Sequence, residues 1–351
     1  MSTATLARKT EPVIGNEIII SADSHTMEPA NLWQSRLPAS LKERAPKLPP
    51  RNSPGEKPGG YDPKARLEEM AVDGVTAEVL YPTLGLALFA MEDAEAQEAC
   101  FRVSNDWLIE YCQAAPGRLV GIPMISLYNV GNAVNELERC KKEGLAGALI
   151  WQVPPEHLPF TSDYYNPFWQ AAQDLKMPVN LHILTGFNYS RFKREGLEVY
   201  RSAVNRKLTD AANALFDIVF SGVLERYPRL KLVLVENEIA WIPFYVHEWD
   251  KYYVRHSPRH PISISKLPSE YVNKQVYATF FSDPTGGRLL DWWGTDTCMW
   301  SNDYPHAAST WPHSREFIAR ELGHLPQHVL RKVLRENVLS LYDLKIAGVN
   351  A

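Results

Sequence analysis

Short continuous apolar runs recur along the chain, and the segments between most of them carry apolar positions at helical spacing. The run Glu17-Ile-Ile-Ile-Ser-Ala-Asp-Ser-His25 opens with β-branched residues and shows no in-out alternation, as a strand buried on both faces of a parallel sheet does. Comparable runs at 76–82, 119–125, 146–151, 177–182, 230–236, 275–281 and 296–301 predict further strands. Helices are predicted between them at 65–73, 94–115, 129–143, 166–175, 211–227 and 245–256, with closing helices at 314–322 and 328–342. Pro116-Gly117, Gly144 and Pro228 stand where such helices stop. Eight strands alternating with helical segments predict an α/β fold, a distorted (β/α)8 TIM barrel. A doubly wound sheet is the alternative, but no Gly-x-Gly-x-x-Gly follows the first strand. The Pro- and Gly-rich stretch 42–64 reads as a loop insertion on the face where the first strand ends, a candidate partial cover.

Parallel barrels keep their chemistry at the carboxyl ends of the strands. Reading only those ends gives Asp23 and His25, His182, Glu236 and Asp303. In extended backbone, residues i and i+2 project to one side, so Asp23 and His25 can both face one cation. Each residue alone has an ordinary explanation: Asp23 a turn, Asp303 a helix cap ahead of Pro305, His182 a core histidine. Five metal-capable side chains on one face of one barrel are much harder to reach by chance. Asp23, His25, His182 and Asp303 are therefore the candidate metal ligands, and Asp303, Glu236 and His182 the candidate catalytic residues. Glu236 can serve as a further ligand, a base or a carboxylate that orients a ligand histidine. The fourth strand ends Ile150-Trp-Gln152 without a lysine to bridge two metals, which favours one divalent ion, zinc first and manganese or iron as alternatives. Trp151, His306, Arg191 and Arg194 are candidate substrate contacts, the two arginines as cations for an acidic substrate; His313 is expected to be exposed.

Composition narrows this further. The 351 residues are 45% hydrophobic and 22% charged with ten Trp and sixteen Tyr, enough to bury a large core. With 37 basic and 41 acidic side chains, and no long basic run, the electrostatic footprint of a nucleic-acid binder is missing, so a small-molecule substrate is expected. Four cysteines without Cys-x-x-Cys spacing predict reduced, mostly buried thiols and, with no long apolar block near the start, a cytoplasmic protein that does not engage a membrane. A flexible segment 1–17 followed by one domain over 18–345 is the expected organisation. The aromatic segment containing Trp249, Tyr252 and Tyr253 is a candidate contact in a homodimer or homotetramer.

Several motifs carry a resemblance. Asp23-Ser-His25 with Glu28-Pro29, Asn180-Leu-His182, Val235-Glu236 with Trp241-Ile-Pro243, and Ser301-Asn-Asp-Tyr-Pro-His306 with Ser309-Thr-Trp-Pro312 resemble the amidohydrolase superfamily. The branch is the amidohydrolase-related one that includes aminocarboxymuconate-semialdehyde and resorcylate decarboxylases. The resemblance covers residues 18 to 345 and implies a distorted barrel holding one divalent metal. Asp23 then stands where the family often has the first His of His-x-His, and His25 matches the second. His182 matches the strand-five ligand, and Asp303 the strand-eight acid that binds metal and moves protons. Glu236 departs from the strand-six His of the better-known members.

The first expected reaction is hydrolysis of an amide, ester or thioester by a metal-activated water, with Asp303 moving the proton. Nonoxidative decarboxylation of an aromatic or unsaturated acid is the alternative, and a non-catalytic ligand-binding barrel the third.

Overall fold

The computed structural model describes residues 14–47, 57–187, 195–346 and 349. Eight parallel strands form the frame: β1 (Ile20–His25), β2 (Ala77–Tyr81), β3 (Leu119–Gly121), β4 (Ala148–Ile150), β5 (Val179–His182), β6 (Leu232–Val235), β7 (Val276–Phe280) and β8 (Cys298–Trp300). All but Tyr277 are buried along their whole length, which is why they read as unbroken apolar runs. The strands pair as β1-β2-β3 and as β4-β5-β6-β7-β8. Pro123 cannot donate to a ladder, and the β3–β4 junction shrinks to a single bridge at Met124 and Leu149. The other junction, β8 to β1, has no ladder; there Asp303 N–H donates to Asp23 O at 3.1 Å and His25 N–H to Tyr304 O at 2.6 Å. The result is a distorted (β/α)8 barrel whose last seam is closed by the residues at the strand ends.

Helices cover the barrel as expected, with differences that have local causes. The helix predicted over 211–227 begins earlier, at Lys207, and stops at Phe220, because Gly222 turns left-handed (φ 78°) before a short helix Val223–Arg226. A π-helical turn, Arg201–Arg206, precedes it. The helix Pro268–Gln275 was not expected; its apolar positions merge with the run that becomes β7. Residues 14–17, expected to be part of a flexible start, are held: Ile14 is buried, and Arg315 donates to Gly15 O and Glu17 O. The four cysteines are unpaired. Among the described residues, no helix is long and apolar enough to cross a membrane.

Of the insertion 42–64, residues 48–56 lie outside the described residues. Its far end forms a 3-10 turn, Pro58–Gly60, whose backbone packs so closely that a Cβ on Gly60 would meet Met27 Cγ at 2.6 Å. Lys57, just before it, donates to Pro305 O at 3.3 Å and stands over the rings of Tyr304 and Trp311. The insertion thus returns against the loop that carries Asp303.

Candidate metal centre

Two acids of the site sit in backbone that L-residues rarely adopt. Glu236, after β6, has φ 59°, and Asp303, after β8, has φ 51°. Left-handed backbone costs a non-glycine residue about 1–2 kcal/mol, and here it turns both carboxylates back across the barrel mouth. Glu236 Oε2 comes to 3.6 Å from His182 Nε2, and Asp303 Oδ1 to 3.4 Å from His25 Nε2. Asp23 sits within a register shift of β1 between Ser21 and Ser24, and Oδ1 lies 3.4 Å from His25 Nε2 and 3.7 Å from His182 Nε2.

The proton inventory is decisive. His25 Nδ1 lies 2.9 Å from Pro82 O, and His182 Nδ1 lies 2.7 Å from Ile183 O. A carbonyl only accepts, so each Nδ1 carries the ring's hydrogen and each neutral ring turns a bare Nε2 lone pair inward. Those two Nε2 atoms are 3.3 Å apart. Both oxygens of the buried Asp23 lack a hydrogen-bond partner. Lone pairs converging with no proton between them repel, and a divalent cation removes the conflict. Donors about 2.0–2.1 Å from a tetrahedral ion stand roughly 3.3 Å apart, close to the spacings observed. The ligand atoms of Asp23, His25, His182 and Glu236 all lie within 4.8 Å of one another, as do those of His25, Glu236, Asp303 and His306. The residues present fit one divalent ion.

Electrostatics agree. Burial pushes the Asp23 carboxyl up, but the His182 and His25 rings overcome this and hold it well below the usual carboxylate range. Burial raises Glu236 and Asp303 to about 7, with the Asp303 charge adding to the rise of Glu236 and the Asp23 charge to that of Asp303. Burial and the nearby His306 hold His25 down, whereas Asp23 more than offsets burial at His182 and raises it. Without a cation the site cannot keep all its carboxylates ionised.

The His306 ring lies against that of His25, centroids 4.0 Å apart and the planes tilted by 32°. Its Nε2 lies 3.1 Å from Thr83 Oγ1, and its Nδ1 comes within 2.8 Å of Asp303 Oδ1 without the alignment of a hydrogen bond. Behind the ligands runs a buried polar chain. Ser21 and Ser24 both donate to Asn302 Oδ1, and Asn302 Nδ2 donates to Asp73 at 3.1 Å and Glu78 at 3.4 Å. Glu78 pairs with Arg66, which donates to His25 O at 2.8 Å and faces the Tyr304 ring at 4.3 Å.

The strand-end residues Asp23, His25, His182, Glu236 and Asp303 therefore come together, with His306 beside them. Trp151, just past the end of β4, is buried and lies edge-on to Tyr128. Arg191 and Arg194 lie outside the described residues. His313 is 60% exposed, as expected. Two residues near the acids were missed. Lys207, at the end of the π-helical turn, is partly buried, and its charge acts on Glu236, Glu238 and Asp303. Glu238 has φ 52°, is raised to about 7 by burial, and keeps Oε2 buried without a partner. Glu238 lies two residues past Glu236, but both stand in left-handed backbone beyond β6, where the i, i+2 rule of extended strands does not apply, and no spacing marks Lys207.

The sequence model of the amidohydrolase family matches residues 23–344. Gamma-resorcylate decarboxylase of Polaromonas sp. strain JS666 is 25% identical over 230 residues, 62% of this chain and 70% of that protein. An amidohydrolase from Mycobacterium avium subsp. paratuberculosis K-10 has the same fold, with a TM-score of 0.78 at 19% identity over 95% of this chain and all of that one. A dihydroxybenzoic acid decarboxylase from Polaromonas sp. JS666, crystallised with manganese and 2-nitroresorcinol, superimposes with a TM-score of 0.69 at 20% identity, covering 94% and 98% of the two chains. A barrel whose strand ends require a cation, matched to one family over nearly its whole length, leaves one assignment: the chain is a metal-dependent enzyme and belongs to the amidohydrolase family.

Proposed function

We propose that the chain catalyses metal-dependent, nonoxidative decarboxylation of a hydroxylated aromatic acid. The observation that carries this reading is Asp303 standing against the side of the lone-pair cluster, 3.4 Å from His25 Nε2 and buried. The similarity to a decarboxylase along 62% of the chain favours this reaction over the hydrolysis that the sequence put first.

Asp23, His25 and His182 would hold the ion, with Asp303 as a further donor when ionised and Glu236 beside them. Zinc or manganese suits this mixture of imidazole and carboxylate donors. When bound, the ion supplies a Lewis acid for the substrate's carboxylate and neighbouring hydroxyl. Asp303 delivers a proton to the ring carbon that bears the carboxylate. The bond to the carboxylate carbon then breaks, its electron pair returns to the ring, and carbon dioxide leaves. Asp303 recovers a proton from solvent on the side of His306, whose side chain is 25% exposed.

Charge sets what the site accepts. Asp23, Glu236 and Asp303 together carry three negative charges when ionised, one more than a divalent ion cancels. A protonated Asp303 restores balance, and Lys207 and Lys57, both acting on Asp303, offset the charge of an incoming acid. The expected assembly is a homodimer or homotetramer in the cytoplasm, and the exposed Phe216, Phe244, Tyr245 and Tyr252 supply aromatic surface for self-association.

The test is release of carbon dioxide from 2,6-dihydroxybenzoate and related hydroxybenzoates by manganese- or zinc-loaded protein. Turnover that falls about 10²–10⁴-fold in Asp303→Asn, with metal still bound, is expected from loss of a general acid. No release from any such acid, alongside metal-dependent cleavage of esters or amides, would return hydrolysis to first place.

A further inference from the structure

The face of the barrel opposite the metal ligands holds a cavity of about 490 Å³. It opens where the chain enters β5, β6 and β7, lined by Met177 and Pro178 before β5, Arg229 and Lys231 before β6, and Tyr277 within β7. The last helix, Asn337–Tyr342, closes one side through Ser340 and Leu341. Conserving a fold needs no cavity here, and the amino-terminal ends of barrel strands ordinarily serve stability.

Its charge is one-sided. Lys176, Arg229 and Lys231 line it, and the single carboxylate on its wall, Asp174, is already paired with Arg229 at 2.8 Å. That leaves an excess of two positive charges. Lys231 is partly buried; its ammonium donates to Lys274 O at 2.6 Å and lies 5.8 Å from the centre of the Tyr277 ring. Neither Lys231 nor Lys176 has a carboxylate within ion-pair distance among the described residues. Partial burial pulls Lys231 below the ordinary lysine range, and no carboxylate among the described residues offsets it.

The rim is fixed in place. The buried Gln173 accepts from the Arg229 N–H at 2.9 Å, and the buried Gln275 donates to Tyr227 O and Leu230 O at 3.0 and 3.2 Å. The segment carrying Arg229 and Lys231 is thus clamped from both sides. Met177 and Leu341, both buried, give the floor an apolar surface. Sites for small organic ligands combine such a floor with a few fixed polar groups in a volume of about 300–1,000 Å³.

We infer that this cavity is a second binding site, for a small organic anion whose phosphate or carboxylate meets Lys231, Lys176 and Arg229 while its apolar body rests on Met177 and Leu341. The site is independent of the metal centre and of the reaction proposed there.

Isothermal titration of the metal-loaded protein with phenyl phosphate, and separately with benzoate, tests it and tells the two head groups apart. For at least one of them a saturable component of one per chain that does not depend on the metal centre is expected, weakened about tenfold or more in Lys176→Met and in Lys231→Met. Lys231→Arg, which keeps the charge, retains most of the affinity and controls for folding; Lys176 is exposed and its loss leaves the fold intact. His182→Ala, which removes metal, leaves this binding unchanged. Absence of saturable binding, equal binding in both methionine variants, or loss of binding in His182→Ala would each overturn the inference; the last would assign the anion to the metal centre instead.

Discussion

The two halves of the barrel wall are built differently. From β5 to β7 the strands share continuous parallel ladders, His182 paired with Val235 and Leu234 with Ala278, and the residues are mostly apolar and, Tyr277 apart, buried. Between β8 and β1 there is no ladder; two backbone hydrogen bonds past the strand ends and a set of side chains do the joining, with Ser21, Ser24 and Asn302 in front and the Arg66–Glu78 ion pair behind. Regular hydrogen bonding fixes the strand itself, as at His182, while the residue just past it can still turn, as Glu236 does. Where the barrel forgoes pairing, Asp303 can turn left-handed, approach Asp23 through its own N–H, and place its carboxylate beside His25. The ladder supplies stability and the seam supplies the site.

The largest effect expected from this contrast is at His182, the one ligand candidate that the ladder itself carries. His182→Ala removes a donor while the β5–β6 pairing, made by backbone, survives. Elemental analysis after dialysis should find about one metal ion per wild-type chain and none in the variant, with circular dichroism unchanged. Metal retained in His182→Ala would break the proposed ligand set.

Next comes a matched pair of core substitutions. Arg66→Met strands the buried Glu78, at a cost of about 3–5 kcal/mol, and also releases His25 O, to which Arg66 donates. Leu234→Ala in the ladder costs about 2–5 kcal/mol through the cavity it leaves. Denaturation should show similar destabilisation, but only Arg66→Met should weaken metal binding. If Leu234→Ala lost metal affinity equally, the division between ladder and seam would fail.

Legibility in the sequence follows the same division. Strands of the ladder declared themselves as unbroken runs such as Leu232–Val235, and their ends delivered His182 and Glu236 directly. Asp23 and His25 came from extended geometry alone, although the register shift at Ser21 and Ser24 lies in that same strand. The seam was less readable. Arg66, Asp73 and Glu78 look like ordinary surface charges in a helix and a strand, and only the closure of the ring brings them behind Asn302. Lys207 was invisible for a related reason: the π-helical turn ahead of it breaks the spacing from which a helix face is read.

A smaller effect is expected from pH. Proton and metal compete for the same lone pairs. Glu236 and Asp303 are held up at about 7 in the metal-free site, and His182 is also raised, so acid keeps protons on the donors and opposes binding. Affinity should rise as pH increases through about 7 and level off above it. Titrations at pH 6, 7 and 8 check the sign. A flat profile would mean that Glu236 and Asp303 are not displaced from their protons, and the ion would then rest on Asp23, His25 and His182 alone.

The smallest effect separates binding from chemistry. Lys207 lies in neither the ladder nor the seam; it enters from the helix Lys207–Phe220 and acts on Glu236 and Asp303 by charge. If it offsets the charge of an incoming acid in ground state and transition state alike, its removal weakens both equally. Lys207→Met should therefore raise KM for an acidic substrate about tenfold with kcat little changed, a loss of about 1.4 kcal/mol in binding. Lys207→Arg keeps the charge and should recover most of the affinity. A fall in kcat at constant KM would instead mean that Lys207 tunes the proton on Asp303, and the seam would then extend, functionally, to the helix Lys207–Phe220.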